Sequence, residues 1–339
     1  ATLGTPRERM TRQLRVAFVG AGNYASSMLL PHLAERDDVR LEHVVTTSAL
    51  SAANARRKFG FAAASTDLDA VLADDSIDAV FVVTRHSSHA ELTRRALLAG
   101  KAVFVEKPLA LSEAELEKVL AAVAESGNDR LQVGFNRRFA PLLVEAKQRF
   151  GRRVGPASVR YLVNAGPLDA GSWYRRRDTE GSRFAGEGGH FLDTVSWLLD
   201  ADPECVYASA SPGQSDLQAT LSYPDGSTAV VSYATTGSSA FPKETIDLVA
   251  DGKVLRFDDF ARARVYGGKK WSSASLGRLP RGRDKGQAAE VAAFVDAVRS
   301  GGPMPVPLAS LARTTAATLA VHDSIAAGVP VRLNTGAVP

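Results

Sequence analysis

Short apolar segments alternate with helix-like segments between residue 14 and about residue 133. The apolar segments are rich in Val, Phe and Ala, which favours strands, and they lie at 15–19, 41–45, 79–83, 102–105 and 131–133. Over residues 112–124, apolar side chains recur at helical spacing, and Ser112 with Glu115 predicts a capping box at the helix start. Strands that alternate with helices predict a parallel sheet built from βαβ units.

The pattern changes after about residue 134. Longer segments that alternate apolar and polar residues predict strands at 159–163, 218–222, 228–233, 244–249 and 253–257. Turn residues separate several of these segments, so this half is expected to form a mainly antiparallel sheet. Helices are predicted around 291–298 and 311–325, and the Ser-, Gly- and Arg-rich stretch 267–286 is predicted to be a mobile loop.

A glycine turn follows the first predicted strand, in the segment that runs from Gly20 to Ala25. Gly20 permits a tight turn, Gly22 lets the backbone approach a pyrophosphate, and Ala25 takes the third, close-packing position. A phosphate then lies on the N–H groups and the positive dipole end of the following helix. The segment predicts a dinucleotide site to which Gly20, Gly22, Asn23 and Tyr24 contribute.

The end of the second predicted strand bears on the choice of cofactor, because an acid there binds the ribose 2′-hydroxyl of NAD. This chain has Thr46, Thr47 and Ser48 instead, and these three residues are predicted to contact the cofactor. No acid repels a 2′-phosphate, and Arg56 or Arg57 could approach one. The cofactor is therefore expected to be NAD or NADP, with the choice left open.

The predicted strand 102–105 runs into Glu106, Lys107 and Pro108. Pro108 biases Lys107 away from helical angles, and this strand end lies at the edge where open α/β sheets bind ligands. A lysine there can hydrogen-bond a substrate oxygen and stabilise developing negative charge. Lys107 is thus a catalytic candidate, and Glu106 and Lys107 are predicted to line the cofactor site. The alternative is a surface lysine paired with Glu106.

The predicted strand 79–83 ends at the same edge of the sheet, and Thr84, Arg85, His86 and His89 follow it. These residues are interpreted as cofactor contacts and a helix cap. Two histidines three residues apart have no third ligand of suitable spacing nearby, so no metal site is predicted.

The glycine-rich segment 186–189 leads into His190. It predicts that His190 lies near the start of a helix, where a neutral imidazole is favoured and can exchange protons near neutral pH. Asp193 is one turn further along and is expected to orient the helix or the histidine. The alternative is a helix cap in which His190 is a structural residue.

Length and composition indicate a soluble enzyme of two domains. The 339 residues exceed what one core usually holds, and the contents of 45% hydrophobic and 23% charged residues are ordinary. The single cysteine excludes an intrachain disulfide and a multi-cysteine zinc site. The net charge of +4 comes without a basic stripe interleaved with aromatic residues, which argues against nucleic-acid binding.

No apolar run reaches the roughly 20 residues of a membrane span, and the first dozen residues contain no apolar signal core. A cytoplasmic protein without a membrane partner is expected. The combined pattern predicts a Rossmann dinucleotide-binding domain at 1–133, in which 1–13 form a flexible arm. It also predicts an α+β domain with a large, mostly antiparallel sheet at 134–339.

From about residue 14 onward, the chain resembles the glucose–fructose oxidoreductase / inositol dehydrogenase (Gfo/Idh/MocA) family. The resemblance rests on the glycine turn at 20–25, on Glu-Lys-Pro at 106–108 and on the glycine-rich segment before His190. A closer similarity is to the oxidoreductase half of fused chains that join a zinc-type alcohol dehydrogenase to such a domain. That similarity is carried by residues 44–46, 84–86, 105–109, 134–141 and 163–167.

The resemblance implies a nicotinamide enzyme that acts on a CH–OH group of a sugar, a nucleotide sugar or a cyclitol. It maps the catalytic lysine to Lys107 and the catalytic histidine to His190. Family members commonly carry an aspartate four residues before that histidine, where this chain has Gly186. Either Glu187 takes the role of that acid, or the proton relay runs through Lys107 and His190 alone.

The resemblance also implies that the second domain binds the substrate and that the outer face of its sheet forms a homodimer or homotetramer. Substrate contacts would then come from Asn136, Arg137, Asn164, Trp173, Tyr174 and Asp193.

The leading hypothesis is NAD(P)-dependent hydride transfer between nicotinamide and a secondary alcohol or ketone of such a substrate. One rival is a glycosidase that oxidises its substrate transiently and keeps NAD bound, which the acid and histidine at 187–190 permit. The other is a catalytically silent nucleotide-binding protein, which Gly186 favours.

Overall fold

The computed structural model describes residues 8–168, 171–172, 176–213, 216–268, 271–274 and 283–333. The described chain divides into two compact units. The first contains the described residues up to 134 together with 287–312, and the second contains those from 135 to 286 together with 313–333.

The strands, in chain order, are β1 (Leu14–Val19), β2 (Val39–Val45), β3 (Ala63–Ser65), β4 (Ala79–Val82), β5 (Ala102–Val105), β6 (Leu131–Val133), β7 (Ser158–Asn164), β8 (Cys205–Ala210), β9 (Leu217–Ser222), β10 (Thr228–Ala234), β11 (Glu244–Ala250), β12 (Lys253–Asp258), β13 (Arg262–Tyr266), β14 (Trp271–Ala274) and β15 (Val331–Arg332).

The helices are α1 (Leu30–Ala34), α2 (Ala49–Phe59), α3 (Leu68–Ala73), α4 (His86–Leu98), α5 (Glu113–Ser126), α6 (Pro141–Phe150), α7 (Arg177–Glu180), α8 (Arg183–Leu199), α9 (Gln287–Ser300) and α10 (Leu308–Ala327). A π-helical turn (Ala25–Leu29) precedes α1, and a 3₁₀ turn (Asn136–Phe139) precedes α6. No described helix combines the length and hydropathy that a membrane span requires.

The first unit is a six-stranded parallel sheet in the order β3-β2-β1-β4-β5-β6. This is the strand order of a doubly wound dinucleotide-binding fold. The prediction of a Rossmann domain is therefore confirmed. Residues 102–105 and 131–133 form strands with the predicted bounds, and the other three predicted strands differ by one or two residues.

The start of helix α5 is determined by its own local sequence. The Ser112 hydroxyl accepts a hydrogen bond from the Glu115 N–H at 3.3 Å, and the Glu115 carboxylate accepts one from the Leu111 N–H at 2.7 Å. The pair thus satisfies two main-chain donors at the helix start. The predicted capping interaction between Ser112 and Glu115 is confirmed.

An aromatic stack forms the centre of the first core. The strand register places Phe18, Phe81 and Phe104 side by side on β1, β4 and β5, with ring centroids 4.7 and 5.0 Å apart. Phe294 of α9 packs edge-on against Phe81 and Phe104 at 5.3 and 5.6 Å. Such pairs each contribute about 0.5–1.5 kcal/mol beyond burial. The contacts of Phe294 attach α9 to a sheet whose strands lie much earlier in the sequence.

The second unit is a nine-stranded sheet in the order β14-β13-β12-β11-β7-β10-β9-β8-β15. All neighbouring pairs are antiparallel except β7 and β10, which run parallel. The prediction of a mostly antiparallel sheet is therefore confirmed. The predicted loop 267–286 is wrong at residues 271–274, which pair with β13, whereas 269–270 and 275–282 lie outside the described residues.

Candidate functional site

The turn after β1 is held by main-chain contacts. Gly20 has a φ of +94°, and its N–H donates to the Val45 carbonyl at 2.8 Å. A Cβ at Gly20 would stand 2.2 Å from the carbonyl oxygen of Val83, closer than any side chain allows. Glycine is therefore required here both for the backbone angle and for the close approach of the loop that follows β4.

Gly22 is exposed, and a Cβ built there would meet no atom within 4 Å. Asn23 is also exposed and begins the helical segment, while Tyr24 is half-buried and packs against the core. The open space beside the first helical turn fits a phosphate group, which would accept hydrogen bonds from main-chain N–H groups. Gly22 thus leaves open space beside the first helical turn, while binding of a dinucleotide there stays a prediction.

The end of β2 is polar and uncharged, as predicted. The Thr46 hydroxyl donates to the Ser48 carbonyl at 2.7 Å, Thr47 is exposed, and Ser48 precedes α2. Arg56 and Arg57 lie further along α2, where they line a surface groove of about 370 Å³ between α2 and β3.

The loop after β4 is tied to the loop after β5 through a histidine. His89 is buried, with Nδ1 2.9 Å from the Pro108 carbonyl oxygen and Nε2 3.3 Å from that of Thr84. Thr84 also shares a 2.7 Å hydrogen bond with Ser88 near the start of α4, which follows Arg85. His86 is buried too, with its ring centroid 5.9 Å from that of His89. His89 thus joins the segments that follow the two strands.

Glu106 and Lys107 follow β5 and lie in different environments. Lys107 is half-buried and precedes a cis peptide bond to Pro108. The Glu106 carboxyl is buried against Gly134, where a Cβ would stand 2.8 Å from its Oε1. Burial raises the pKa of Glu106 to about 7, although the charge of Lys107 acts to lower it. A carboxyl group that holds its proton near neutrality therefore stands next to Lys107 in the chain.

The predicted position of His190 near a helix start is wrong. Helix α8 begins at Arg183 behind the cap residue Ser182, so His190 lies in its middle. The glycines lie within this helix, at positions where larger side chains would not fit. A Cβ at Gly188 would lie 2.5 Å from the Phe184 ring, and one at Gly189 would lie 2.8 Å from the Phe135 ring.

His190 is buried among side chains of the second unit. Its ring packs edge-on against Phe135 at 6.4 Å between centroids. The Thr194 hydroxyl donates to the His190 carbonyl at 2.7 Å. The histidine is thus held on a rigid, well-packed helix.

Arg137 and Glu244 form a buried ion pair. Arg137 Nε and Nη2 donate to the two carboxylate oxygens at 2.7 and 2.9 Å, while Tyr161 and Lys285 donate to the same carboxylate at 2.6 and 2.9 Å. Burial favours the neutral forms, but the opposite charges prevail, so the pKa of Glu244 is lowered and that of Arg137 is raised. The guanidinium of Arg137 is thus held by Glu244, and its contact with substrate stays a prediction.

Asp193 also forms a buried ion pair. Its carboxylate is fully buried and forms an ion pair with Arg138, whose Nε lies 2.8 Å from Oδ2. Burial raises the pKa of Asp193, and the charge of Arg138 opposes the rise. Asp193 thus joins α8 to the 3₁₀ turn that carries Arg138, and its contact with substrate stays a prediction.

The remaining substrate candidates hold loops in place. Asn136 is buried and donates to the Lys285 carbonyl at 2.7 Å. Asn164 donates through its side chain to the Ser238 carbonyl at 2.7 Å. Trp173 and Tyr174, also predicted to contact substrate, lie outside the described residues.

Glu187 projects from α8 one turn before His190. Its carboxylate accepts hydrogen bonds from the Tyr233 hydroxyl at 2.9 Å and from Arg183 Nε at 3.3 Å. Both oxygens are therefore engaged by neighbours within the second unit.

Sequence reasoning missed Arg138, Tyr161 and Glu244. The strand pattern could have identified Glu244 as a buried carboxylate. It lies on the same face of β11 as Ile246, Leu248 and Ala250, which are buried. A carboxylate in an inward strand position requires a buried cation. The arginines of segment 136–139 were the available partners, but nothing in the sequence assigns Arg137 to Glu244 and Arg138 to Asp193.

Residues 14–135 match the family described as an oxidoreductase family with an NAD-binding Rossmann fold. Among curated proteins, the chain is 32% identical over 145 residues to an inositol 2-dehydrogenase of Rhizobium meliloti, covering 42% of this chain and 43% of that protein. It is 36% identical over 140 residues to a scyllo-inositol 2-dehydrogenase (NAD(+)) of Bacillus subtilis, covering 41% of each. The matches thus span about two-fifths of the length of these relatives.

Solved structures show the same fold over nearly the whole chain. A levoglucosan dehydrogenase in complex with NADH and levoglucosan superposes with a TM-score of 0.82 at 19% identity, covering 95% of this chain and 100% of that one. GenD2 from gentamicin A biosynthesis, in complex with NAD, gives a TM-score of 0.79 at 23% identity, covering 98% and 99%. Taken with the parallel sheet and the glycine turn, these findings show that residues 14–135 are similar to the NAD-binding Rossmann domain of this oxidoreductase family and that the chain shares the fold of the solved structures.

Proposed function

We propose that this protein is an NAD(P)-dependent dehydrogenase or reductase. It transfers a hydride between nicotinamide and a secondary alcohol or ketone of a sugar, a nucleotide sugar or a cyclitol. The observation that carries the proposal is the shared position of two features of the first unit. The turn at Gly20 follows β1 and Lys107 follows β5, and parallel strands of one sheet end at the same edge, where such folds bind ligands.

The similarity to inositol 2-dehydrogenases supports this substrate class. In the proposal the first unit binds the dinucleotide and the second unit binds the substrate. Gly20, Gly22 and Asn23 would hold the pyrophosphate, and Thr46 to Ser48 would face the adenosine ribose. The bound nicotinamide would supply or accept the hydride.

Lys107 would donate a hydrogen bond to the substrate oxygen that changes between alcohol and ketone. Its positive charge stabilises the negative charge that develops on this oxygen, which is the largest single contribution a protein group usually makes. His190, on α8 of the second unit, would take or return a proton of the substrate, a role that contributes about 10²–10⁴-fold in rate.

Of the two proton relays that the sequence left open, we favour the one that runs through Lys107 and His190 alone. Arg183 and Tyr233 already occupy both oxygens of Glu187. To take up a substrate proton, Glu187 would have to give up one of these contacts.

A catalytically silent nucleotide-binding protein is the second candidate. It is favoured by Gly186, which stands where family members commonly carry an aspartate. The two candidates differ in one measurable property, since only the enzyme changes the redox state of its cofactor in the presence of a polyol.

The direct test is a panel of inositols, sugars and nucleotide sugars assayed with NAD and with NADP. Oxidation of at least one member, followed by the appearance of the reduced cofactor, supports the dehydrogenase. Binding of the cofactor without any turnover across the panel supports the silent protein. Dissociation constants for NADH and NADPH, measured on the same preparation, establish which cofactor the end of β2 accepts.

Replacing Lys107 by Met is expected to lower kcat by at least about 100-fold, because the charge over the reacting oxygen is lost. The dissociation constant of the cofactor should change by no more than a few-fold. Lys118→Met, which removes an exposed lysine of α5, serves as the control and should retain normal turnover. Near-normal kcat in Lys107→Met would remove this lysine from the mechanism.

The raised pKa of Glu106 predicts a pH-dependent stability. The folded protein keeps the proton up to about pH 7, whereas the unfolded chain releases it near its ordinary value of 4.5. The wild-type protein should therefore lose roughly 3 kcal/mol of stability, relative to Glu106→Gln, as the pH rises through this window.

Chemical denaturation of both proteins near pH 5 and near pH 8 measures the effect. Glu117→Gln, which removes an exposed carboxylate of α5, controls for the loss of one negative charge. A difference between wild type and Glu106→Gln that stays constant between the two pH values would contradict the predicted protonation.

A further inference from the structure

The carboxylate of Glu244 accepts two hydrogen bonds on each of its oxygens. Oε2 accepts from Arg137 Nε at 2.7 Å and from the Tyr161 hydroxyl at 2.6 Å. Oε1 accepts from Arg137 Nη2 and from Lys285 Nζ, both at 2.9 Å. Glu244 is fully buried, so water does not compete for these contacts. The two parallel bonds to Arg137 therefore fix the plane of its guanidinium.

Only one edge of the Arg137 guanidinium is used in this pair. Glu244 takes the donor on Nε and one donor on Nη2, and the remaining donors, on Nη1 and Nη2, bond to no acceptor of the described residues. One N–H on each of these two terminal nitrogens points in the same direction, and together they form a second fork, here called the end fork. The end fork faces a different direction from the edge that Glu244 binds.

The end fork requires oxygen acceptors. Arg137 is only 7% exposed, and a buried donor that finds no acceptor is costly. Water can supply the acceptors in the free protein, and a ligand with two suitably spaced oxygens can replace it. The planar fork of arginine suits such a ligand because it reaches both oxygens at once.

Arg137 contacts the part of α8 that carries His190. Its Cζ lies 5.1 Å from the centre of the Phe191 ring, and Phe191 directly follows His190 in the chain. Two residues before Arg137, the Phe135 ring packs against the His190 ring at 6.4 Å between centroids. The guanidinium therefore lies close to the histidine to which the proposed function gives a proton of the substrate.

We propose that the end fork of Arg137 binds two hydroxyl oxygens on neighbouring carbons of the substrate, and that Glu244 is the residue that positions this fork. The inference rests on the proposed function. It narrows the substrate class to ring polyols that carry a vicinal pair of hydroxyl groups besides the hydroxyl that reacts. Equatorial oxygens on adjacent ring carbons are close enough for one fork to reach both, whereas equatorial oxygens on alternate carbons are too far apart.

Glu244 suits the role of a positioning residue because other groups hold it as well. The Tyr161 hydroxyl and Lys285 Nζ donate to its two oxygens, one to each. The carboxylate is thus a fixed point against which the guanidinium is oriented. A fork that is oriented before the substrate arrives binds with a smaller loss of side-chain freedom.

The test compares two ligands of identical composition, the all-equatorial isomers of cyclohexane-1,2,3-triol and cyclohexane-1,3,5-triol. The first carries its hydroxyl groups on adjacent carbons and the second on alternate carbons. Titration calorimetry measures their binding in the presence of the reduced cofactor that the protein binds more tightly, since a reduced cofactor cannot oxidise an alcohol. The proposal predicts that wild type binds the 1,2,3-triol at least about tenfold more tightly than the 1,3,5-triol.

Three variants locate the source of this preference. Arg137→Lys keeps a cation beside Glu244 but has no planar fork, so the preference should disappear. Glu244→Asp withdraws the carboxylate by one methylene group and should weaken the preference. Arg149→Lys, which changes an exposed arginine of α6, is the control and should retain it.

Thermal unfolding of each variant separates positioning from support of the fold. A merely structural role of Glu244 would lower the melting temperature of Glu244→Asp without changing the ratio of the two dissociation constants. Equal binding of the two triols by wild type, or no binding of either, would overturn the proposal. So would a preference that survives in folded Arg137→Lys, and an unchanged preference in folded Glu244→Asp would refute the positioning role.

The outcome is separable from that of the proposed function. Turnover of polyols by a protein that does not distinguish the two triols refutes the end fork as a binding site and leaves the dehydrogenase intact. A preference that depends on Arg137, in a protein that never reduces its cofactor, supports the binding site and refutes the dehydrogenase.

Discussion

At Gly20 the main chain comes so close to the Val83 carbonyl that no side chain fits between them. The same residue donates its N–H to Val45, so the turn is fixed between the ends of β2 and β4. This contact sets the direction in which the chain leaves β1 and begins the first helical segment, with Gly22 open beside it. The shape of the turn therefore follows from main-chain packing, and the proposed role of Lys107 depends on a cofactor bound at this turn.

In the second unit, buried ion pairs hold several charged side chains in place. Glu244 accepts hydrogen bonds from Nε and Nη2 of Arg137, from Tyr161 and from Lys285, and Asp193 pairs with Arg138. Removing one partner of such a pair leaves an uncompensated buried charge, at a cost of about 3–5 kcal/mol. The pair of Asp193 and Arg138 therefore positions α8 against the 3₁₀ turn.

The local pattern of the sequence predicted most elements, because short-range physics determines them. Strand 102–105 could be predicted from its apolar run, and the start of α5 could be predicted from the capping pair at Ser112. Tertiary contacts decided the rest. The apolar face of α9 is evident in the sequence, but its attachment to the first sheet depends on Phe294 meeting Phe81 and Phe104. The glycines before His190 suggested a loop, yet the packing of Phe184 and Phe135 requires them inside α8. Arginine and carboxylate partners distant in sequence could not be paired in advance.

The central claim, that the glycine turn holds a dinucleotide, can be tested at Gly22. A Cβ there meets no protein atom, so Gly22→Val should fold with unchanged thermal stability, while its side chain fills the space assigned to the pyrophosphate. Fluorescence titration with NADH and NADPH should show that wild type binds at least one of them and that Gly22→Val binds it at least about tenfold more weakly. Equally tight binding by a stably folded Gly22→Val, or no binding of either cofactor by wild type, would contradict the account.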